Sequence, residues 1–148
     1  MIGDGDIAAA MAPSLPETDV DLYMGIGGSP EAVLAAAGVK CLGGDMQCKM
    51  WPRDQNERQS LMDEGLEKDL DRIYAADDLA NGKNIIFCAT GISDSALLRG
   101  VRTKGAATAV THSILMRAKS KTVRFVRTIH NLQTKTIRLR SDQREHLI

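Results

Sequence analysis

Gly25-Ile26-Gly27-Gly28-Ser29-Pro30-Glu31 joins a short apolar run, Val20-Asp21-Leu22-Tyr23-Met24, to an alanine-rich segment reaching Leu42. Three glycines strip side chains from the turn and leave its backbone open to close approach. Pro30 suits the first turn of a helix, where a missing N–H leaves no bond unmade, and Glu31 puts a carboxylate at the helix's positive end. Two readings fit these residues: a carboxylate placed for a metal ion, or a tight strand-to-helix turn whose glutamate complements the helix dipole. Taken alone, the segment favours the second.

Outward from the turn, Val33, Leu34 and Val39 among alanines predict a helix from Pro30 to Leu42 packed on both sides and closed by Gly43-Gly44. Asp45 to Trp51 alternates as a strand, with Met46, Cys48 and Met50 on one face, until Pro52 stops it. Upstream, Val20 to Met24 reads as a strand feeding the turn, preceded by a short helix, Ile7 to Ala12, with Asp6 near its N-cap and Pro13 ending it.

Downstream, Asp54 to Leu70 predicts an exposed amphipathic helix broken at Gly65, followed by a short strand at Arg72-Ile73-Tyr74 and a single turn over Asp77-Asp78-Leu79-Ala80. Ile85-Ile86-Phe87-Cys88-Ala89 is a continuous apolar run, as expected of a central strand buried on both faces. A turn at Ser93-Asp94 and a strand from Leu97 to Thr103 follow. Threonine, valine and isoleucine then predict antiparallel strands over 108–118, 121–130 and 134–139, and Gln143 to Ile148 is expected to fray.

At 148 residues, 43% hydrophobic and 26% charged, the chain has the composition of one globular domain with a core, which excludes intrinsic disorder. No run approaches the roughly 20 apolar residues that cross a bilayer, and Met1-Ile2-Gly3-Asp4 lacks the regions of a signal peptide; a cytoplasmic protein with no membrane partner is the expectation. Cys41, Cys48 and Cys88 form no CxxC pair and read as free buried thiols, and His112, His130 and His146 show no metal-ligand spacing.

Charge is uneven: residues 1–98 hold 7 Lys/Arg against 17 Asp/Glu, whereas residues 99–148 hold 12 against 2. With aromatic residues at 3%, and Arg124 and Arg127 spaced among apolar neighbours, the basic half reads as a solvated strand face, not a nucleic-acid surface. A second use is to hold a phosphorylated ligand while the acidic half holds a cation.

Asp4-Gly5-Asp6 flanks a glycine, so both carboxylates can face one small volume. They suit sugar hydroxyls or a divalent cation, against the plainer reading of an N-cap and turn. Their combination with the glycine turn and Gly43 to Gln47 weighs against the plainer reading. Ile2-Gly3-Asp4-Gly5-Asp6, Gly25 to Glu31 and Leu42-Gly43-Gly44-Asp45-Met46-Gln47 together resemble the class II fructose-1,6-bisphosphatases, including cyanobacterial members that also act on sedoheptulose 1,7-bisphosphate. Asn84 to Ile92, Lys119 to Arg124 and Ile129-His130 are similar to the family's C-terminal part. The resemblance runs over nearly the whole chain in motif order, beginning just before Asp4. The family's N-terminal half, with further acidic metal ligands, has no counterpart.

The resemblance implies that residues 1–148 form a C-terminal domain, α/β in class, with a mixed β-sheet flanked by helices as in the lithium-sensitive sugar and inositol phosphatases. It implies hydrolysis of the 1-phosphate of fructose 1,6-bisphosphate, or of the sedoheptulose substrate, assisted by Mg²⁺ or Mn²⁺, in gluconeogenesis or the Calvin cycle. Glu31 matches the metal ligand, Asp4, Gly5 and Asp6 the substrate contacts, and Gly28 a glycine against the sugar phosphate; no catalytic residue is assigned, and Asp45 is read as a brace for the glycine turn. Ala32 stands where members have glycine, and Cys48-Lys49-Met50 replaces Gly-Arg-Leu. The implied partners are a sugar bisphosphate, the missing N-terminal half and, for the full-length family, further copies in a homo-oligomer, with no nucleic acid. Alone, one glutamate is a poor site for a cation that takes about six oxygens, so the chain by itself is expected to be inactive. The alternative is a catalytically inactive sugar-phosphate-binding module.

Overall fold

A computed structural model of the chain describes residues 5–134. In chain order the elements are α1 (Asp6–Met11), α2 (Ser29–Leu42), β1 (Gln47–Cys48), α3 (Gln55–Asp63), β2 (Tyr74–Ala75), α4 (Ala76–Leu79), β3 (Ile86–Thr90), β4 (Arg102–Lys104), β5 (Thr108–Arg117) and β6 (Thr122–Asn131). Single 3₁₀ turns occupy Ala12–Ser14 and Glu67–Asp69.

The β-branched final third builds the main sheet around β5. Strand β6 pairs with β5 along its whole length, from Thr108↔Asn131 to Arg117↔Thr122. The other edge of β5 is shared: β3 takes Ser113 to Arg117, and β4 takes Thr108 to Val110. A separate two-stranded ladder joins β1 to β2. The class is therefore α/β with helices against sheet, but every pairing among the described residues is antiparallel, where a mixed sheet was expected.

Alternation along β5 selects the core face. Ile114 and Met116 are both 0% exposed and pack with Met11, Val39, Cys41, Phe87 and Leu98. Small residues on α2, Ala35, Ala36 and Gly38, let its neighbours approach closely. At Gly38 a Cβ would sit 2.5 Å from the Met11 sulfur, so the α1–α2 contact requires that position to be bare. The predicted two-sided packing of α2 holds from Ala35 to Cys41; its first turns leave Val33 and Leu34 largely in solvent.

Lys40 ties the far end of α2 to α4. Its ammonium donates to the Ala80 carbonyl at 2.6 Å and lies 2.5 Å from the Asp77 carboxylate. Lys121 donates in turn to the Lys40 carbonyl at 2.6 Å, joining the helix end to the β5–β6 turn.

Several expectations change. Val20 to Met24 is irregular, because no strand lies beside it among the described residues to complete a ladder, and its Leu22 and Met24 face solvent. The apolar run around Phe87 forms β3, an edge strand: Phe87 is buried while Ile86 is 66% exposed, so β5 is the central strand. Of Leu97 to Thr103, only Arg102 and Thr103 are extended. The strand after α2 shortens to β1, although Met46, Cys48 and Met50 do turn to one half-buried face. The first helix ends at Met11 with Ala12 as its C-cap, just before Pro13, which lies within the 3₁₀ turn that follows. Of the three free cysteines, only Cys41 is buried; Cys48 is half-buried and Cys88 exposed. The charged helix behaves as predicted, with Asp54 accepting the Glu57 N–H at 2.8 Å as its cap and Gly65, at φ 81°, following its end. The strand at 134–139, beyond a turn that includes Thr134, and the fraying of Gln143 to Ile148 lie outside the described residues.

Ile114→Ala, which opens a cavity where β5 meets α2, should lower unfolding free energy by about 2–5 kcal/mol in urea titration; a loss under about 1 kcal/mol would contradict this packing. The hydrogen bond from Lys40, and then its charge, hold the Asp77 carboxyl below its ordinary value. Its contribution to stability is thus complete above the unfolded pKa of about 3.9 and disappears as pH falls through the folded one. In Lys40→Met, carboxyl-detected NMR should show Asp77 titrating nearer the ordinary value; an unmoved curve would count against the pairing.

Candidate functional site

The glycine turn is built from the loop between the 3₁₀ turn and α2. Thr18 anchors the loop's start, its hydroxyl donating to the Ala12 carbonyl at 2.5 Å and the Leu15 carbonyl at 3.1 Å. Tyr23 folds its phenol over Gly25, where a Cβ would lie 2.7 Å from the ring carbon Cζ. The next two glycines face carboxylates. A Cβ on Gly27 would come within 3.0 Å of Asp6 Oδ2, and one on Gly28 would run into the Glu31 carboxylate, 3.3 Å from its Cδ.

Asp6 and Glu31, 25 positions apart in the chain, therefore lie against adjacent residues of one turn. The α1–α2 packing brings them there. Gly28 is the N-cap of α2, its carbonyl accepting the Ala32 N–H at 3.0 Å, and Glu31 curls back from the first turn toward it. Ala32 is an ordinary helical residue, so its replacement of glycine costs the turn nothing. Gly5 caps α1 at φ 87°, a left-handed conformation that favours glycine, and its carbonyl accepts the Ala9 N–H at 3.0 Å. Asp6 is the first residue of α1, a carboxylate at a helix N-terminus. Asp4 lies outside the described residues.

The third motif is elsewhere. Gly43 to Gln47 follows the C-terminus of α2, which at 14 residues is about 21 Å long, so it faces away from the turn. There Gly43, at φ 84°, and Gly44 both donate to the Val39 carbonyl, closing the helix, and the Ser14 side chain fills the space beside Gly44. Asp45 accepts the Met46 N–H at 2.8 Å and so braces its own loop, not the glycine turn.

Around the two carboxylates the surface is open: Leu22, Met24 and Ile26 are 72%, 84% and 70% exposed. Among the described residues no group of three or more His, Cys, Asp or Glu is arranged to hold a metal. An exposed Glu31 carboxylate fits one corner of a hard, six-coordinate cation, which takes one or two protein carboxylates and fills the rest with water or substrate oxygens. Sequence reasoning missed Gly27, which lies against Asp6; its only signal was its place in the glycine run.

Gly27→Ala and Gly28→Ala should shift the side-chain carboxyl ¹³C resonances of Asp6 and Glu31 respectively, with far-UV circular dichroism unchanged. Resonances that stay in place would show that these glycines do not abut the carboxylates.

No helix among the described residues is long and apolar enough to cross a membrane. Residues 1–130 match the family model of the bacterial, glpX-encoded fructose-1,6-bisphosphatase. The chain is 40% identical over 144 residues to the class 2 fructose-1,6-bisphosphatase of Haemophilus influenzae, a match covering 88% of this chain and 42% of the relative. It is 39% identical over 142 residues to the D-fructose 1,6-bisphosphatase class 2/sedoheptulose 1,7-bisphosphatase of each of two Synechococcus strains, covering 88% of this chain and 40% of each relative. The chain thus spans about 40% of the length of the curated relatives it matches. With residues 1–130 matched to its model, the chain belongs to the bacterial, glpX-encoded fructose-1,6-bisphosphatase family.

Proposed function

We propose that this chain supplies the substrate-side wall of a sugar-bisphosphatase that hydrolyses the 1-phosphate of fructose 1,6-bisphosphate, and of the sedoheptulose substrate named for two of its relatives. The observation that carries this reading is the meeting of Asp6 and Glu31 at Gly27 and Gly28. An ionised Asp6 has acceptor lone pairs for sugar hydroxyls, and the bare backbone of the two glycines admits a phosphorylated ligand to contact distance. Glu31 offers a hard oxygen to Mg²⁺ or Mn²⁺, and the bound cation would polarise phosphoryl oxygens and lower the pKa of the attacking water.

In this reaction the oxygen of water bonds to phosphorus and the P–O bond to C1 breaks. The departing sugar oxygen takes a proton, and inorganic phosphate leaves. This chain's part is to orient the sugar and hold one ligand position; none of its described residues is assigned the role of base. The apolar side chains exposed around the turn, Leu22, Met24, Ile26, Val33 and Leu34, are in this proposal the surface on which the remaining portion of a full-length relative packs. The proposed setting is the cytoplasm, the proposed fold kinship is with the C-terminal domain of the lithium-sensitive phosphatases, and the proposed assembly of the completed protein is a homo-oligomer.

Phosphate release from fructose 1,6-bisphosphate with Mg²⁺ or Mn²⁺ is the test, for the chain alone and mixed with the remaining portion of a relative. The expected result is activity in the mixture alone. Glu31→Gln in the mixture should cut the rate by more than the roughly 10–100-fold that loss of an outer-shell partner costs. Saturable binding of the bisphosphate with no release in the mixture would replace hydrolysis with the binding-module reading, and neither binding nor release would overturn both.

A further inference from the structure

A groove of about 330 Å³ on the sheet face beyond α2 gathers part of the basic half of the chain. Arg99, from the loop before β4, and Arg127, on β6, line it together with His112 on β5, Glu17, and the apolar side chains of Leu98 and Phe125. His112 and Arg127 are cross-strand partners, so the sheet register fixes them side by side.

Two observations show polar groups of the groove left unpaired by the chain itself, and a third shows an apolar side chain left uncovered. His112 Nδ1 is buried and has no hydrogen-bond partner, a condition native structures rarely leave unexplained. Among the described residues neither Arg99 nor Arg127 has a carboxylate within ion-pair distance; Arg99 is near enough to Asp94 to contribute to lowering its carboxyl pKa, and Glu17 forms no ion pair either. Phe125 leaves 54% of its surface in solvent on the face where its partner Ile114 is fully buried.

The lip carrying Arg99 is held in place. Asp94 accepts the Gly100 N–H at 2.9 Å and an Arg102 Nη2 hydrogen at 2.8 Å, and these bonds and the Arg102 charge keep its carboxyl below the ordinary value. Ser95 Oγ accepts the Leu98 N–H at 3.1 Å, and the Gly91 N–H donates to the His112 carbonyl at 3.0 Å, which fastens the loop to β5.

We propose that this groove is a second binding site, separate from the glycine turn, for a small hydroxylated phosphate monoester. Two guanidiniums present planar, bidentate donors that match phosphoryl oxygens. They outnumber the single carboxylate, so the groove favours an anion, and Glu17 is left to accept a ligand hydroxyl. The His112 ring lines the same wall beside Arg127. The Phe125 ring covers an apolar face of the ligand. This inference does not rest on the proposed hydrolysis.

The test is ¹H–¹⁵N NMR titration of the 148-residue chain with glucose 6-phosphate and, separately, inorganic phosphate. Glucose 6-phosphate should produce saturable shifts at residues of the groove, with an affinity several-fold tighter than that of phosphate. Both arginines are exposed, so Arg99→Gln and Arg127→Gln should keep the spectrum's dispersion while weakening binding at least tenfold. Glu31→Gln should leave the affinity unchanged. Shifts confined to Gly25–Glu31, an affinity indifferent to Arg127→Gln, or inorganic phosphate binding as tightly as the ester would each overturn the proposal.

Discussion

The contact between the buried face of β5 and the Val39–Cys41 side of α2 is the constraint from which the rest of the geometry follows. Ile114 and Met116 are closed off completely in a cluster to which α2 contributes Val39 and Cys41, with Met11, Phe87 and Leu98 around them. Apolar burial of this kind stabilises by roughly 25 cal/mol per Å², and the close fit adds dispersion that a looser helix would forfeit. Once α2 is fixed on the sheet, its N-terminus has one position. The glycine turn, Glu31 and, through the Met11–Gly38 contact, Asp6 are placed as a consequence.

What the sequence revealed follows what periodicity can encode. The α2 helix and the β5–β6 hairpin were legible because alternation and helical spacing are local properties that tertiary packing then confirmed. Val20 to Met24 alternates too, but a strand is made by its neighbour, and no local pattern specifies one. The run at Ile85 to Ala89 misled for a related reason: five successive apolar residues look the same whether one face or two will be covered, and here Ile86 and Phe87 met opposite fates. At the candidate site, Asp6, Gly28 and Glu31 were singled out by their chemistry and their order in the chain. That Gly27 would sit against Asp6 was not, since it depends on how α1 leans on α2. The motif at Gly43 to Gln47 shows the converse, because nearness in the chain to Glu31 conceals a helix length between them.

The carboxylates at the turn sit in solvent. At that exposure the effective dielectric is high, and the attraction of a single carboxylate for a cation there would be weak, of order 1 kcal/mol at contact in water and several-fold larger where water is excluded. Such a surface gains strength only when something closes over it. The bare glycines work in the same sense, since they provide access and little affinity of their own.

Gly38 has a consequence for chemical durability. Its missing side chain is the seat of the Met11 sulfur, a thioether that is fully out of contact with solvent. Oxidants must wait for α1 to lift before they reach it. Once they do, the sulfoxide carries a polar oxygen and more bulk into a place with no room for either, so α1 cannot return to its seat until a reductase restores the sulfur. A single absent methyl group thereby makes the position of Asp6 hostage to the redox history of a residue five places further along the chain.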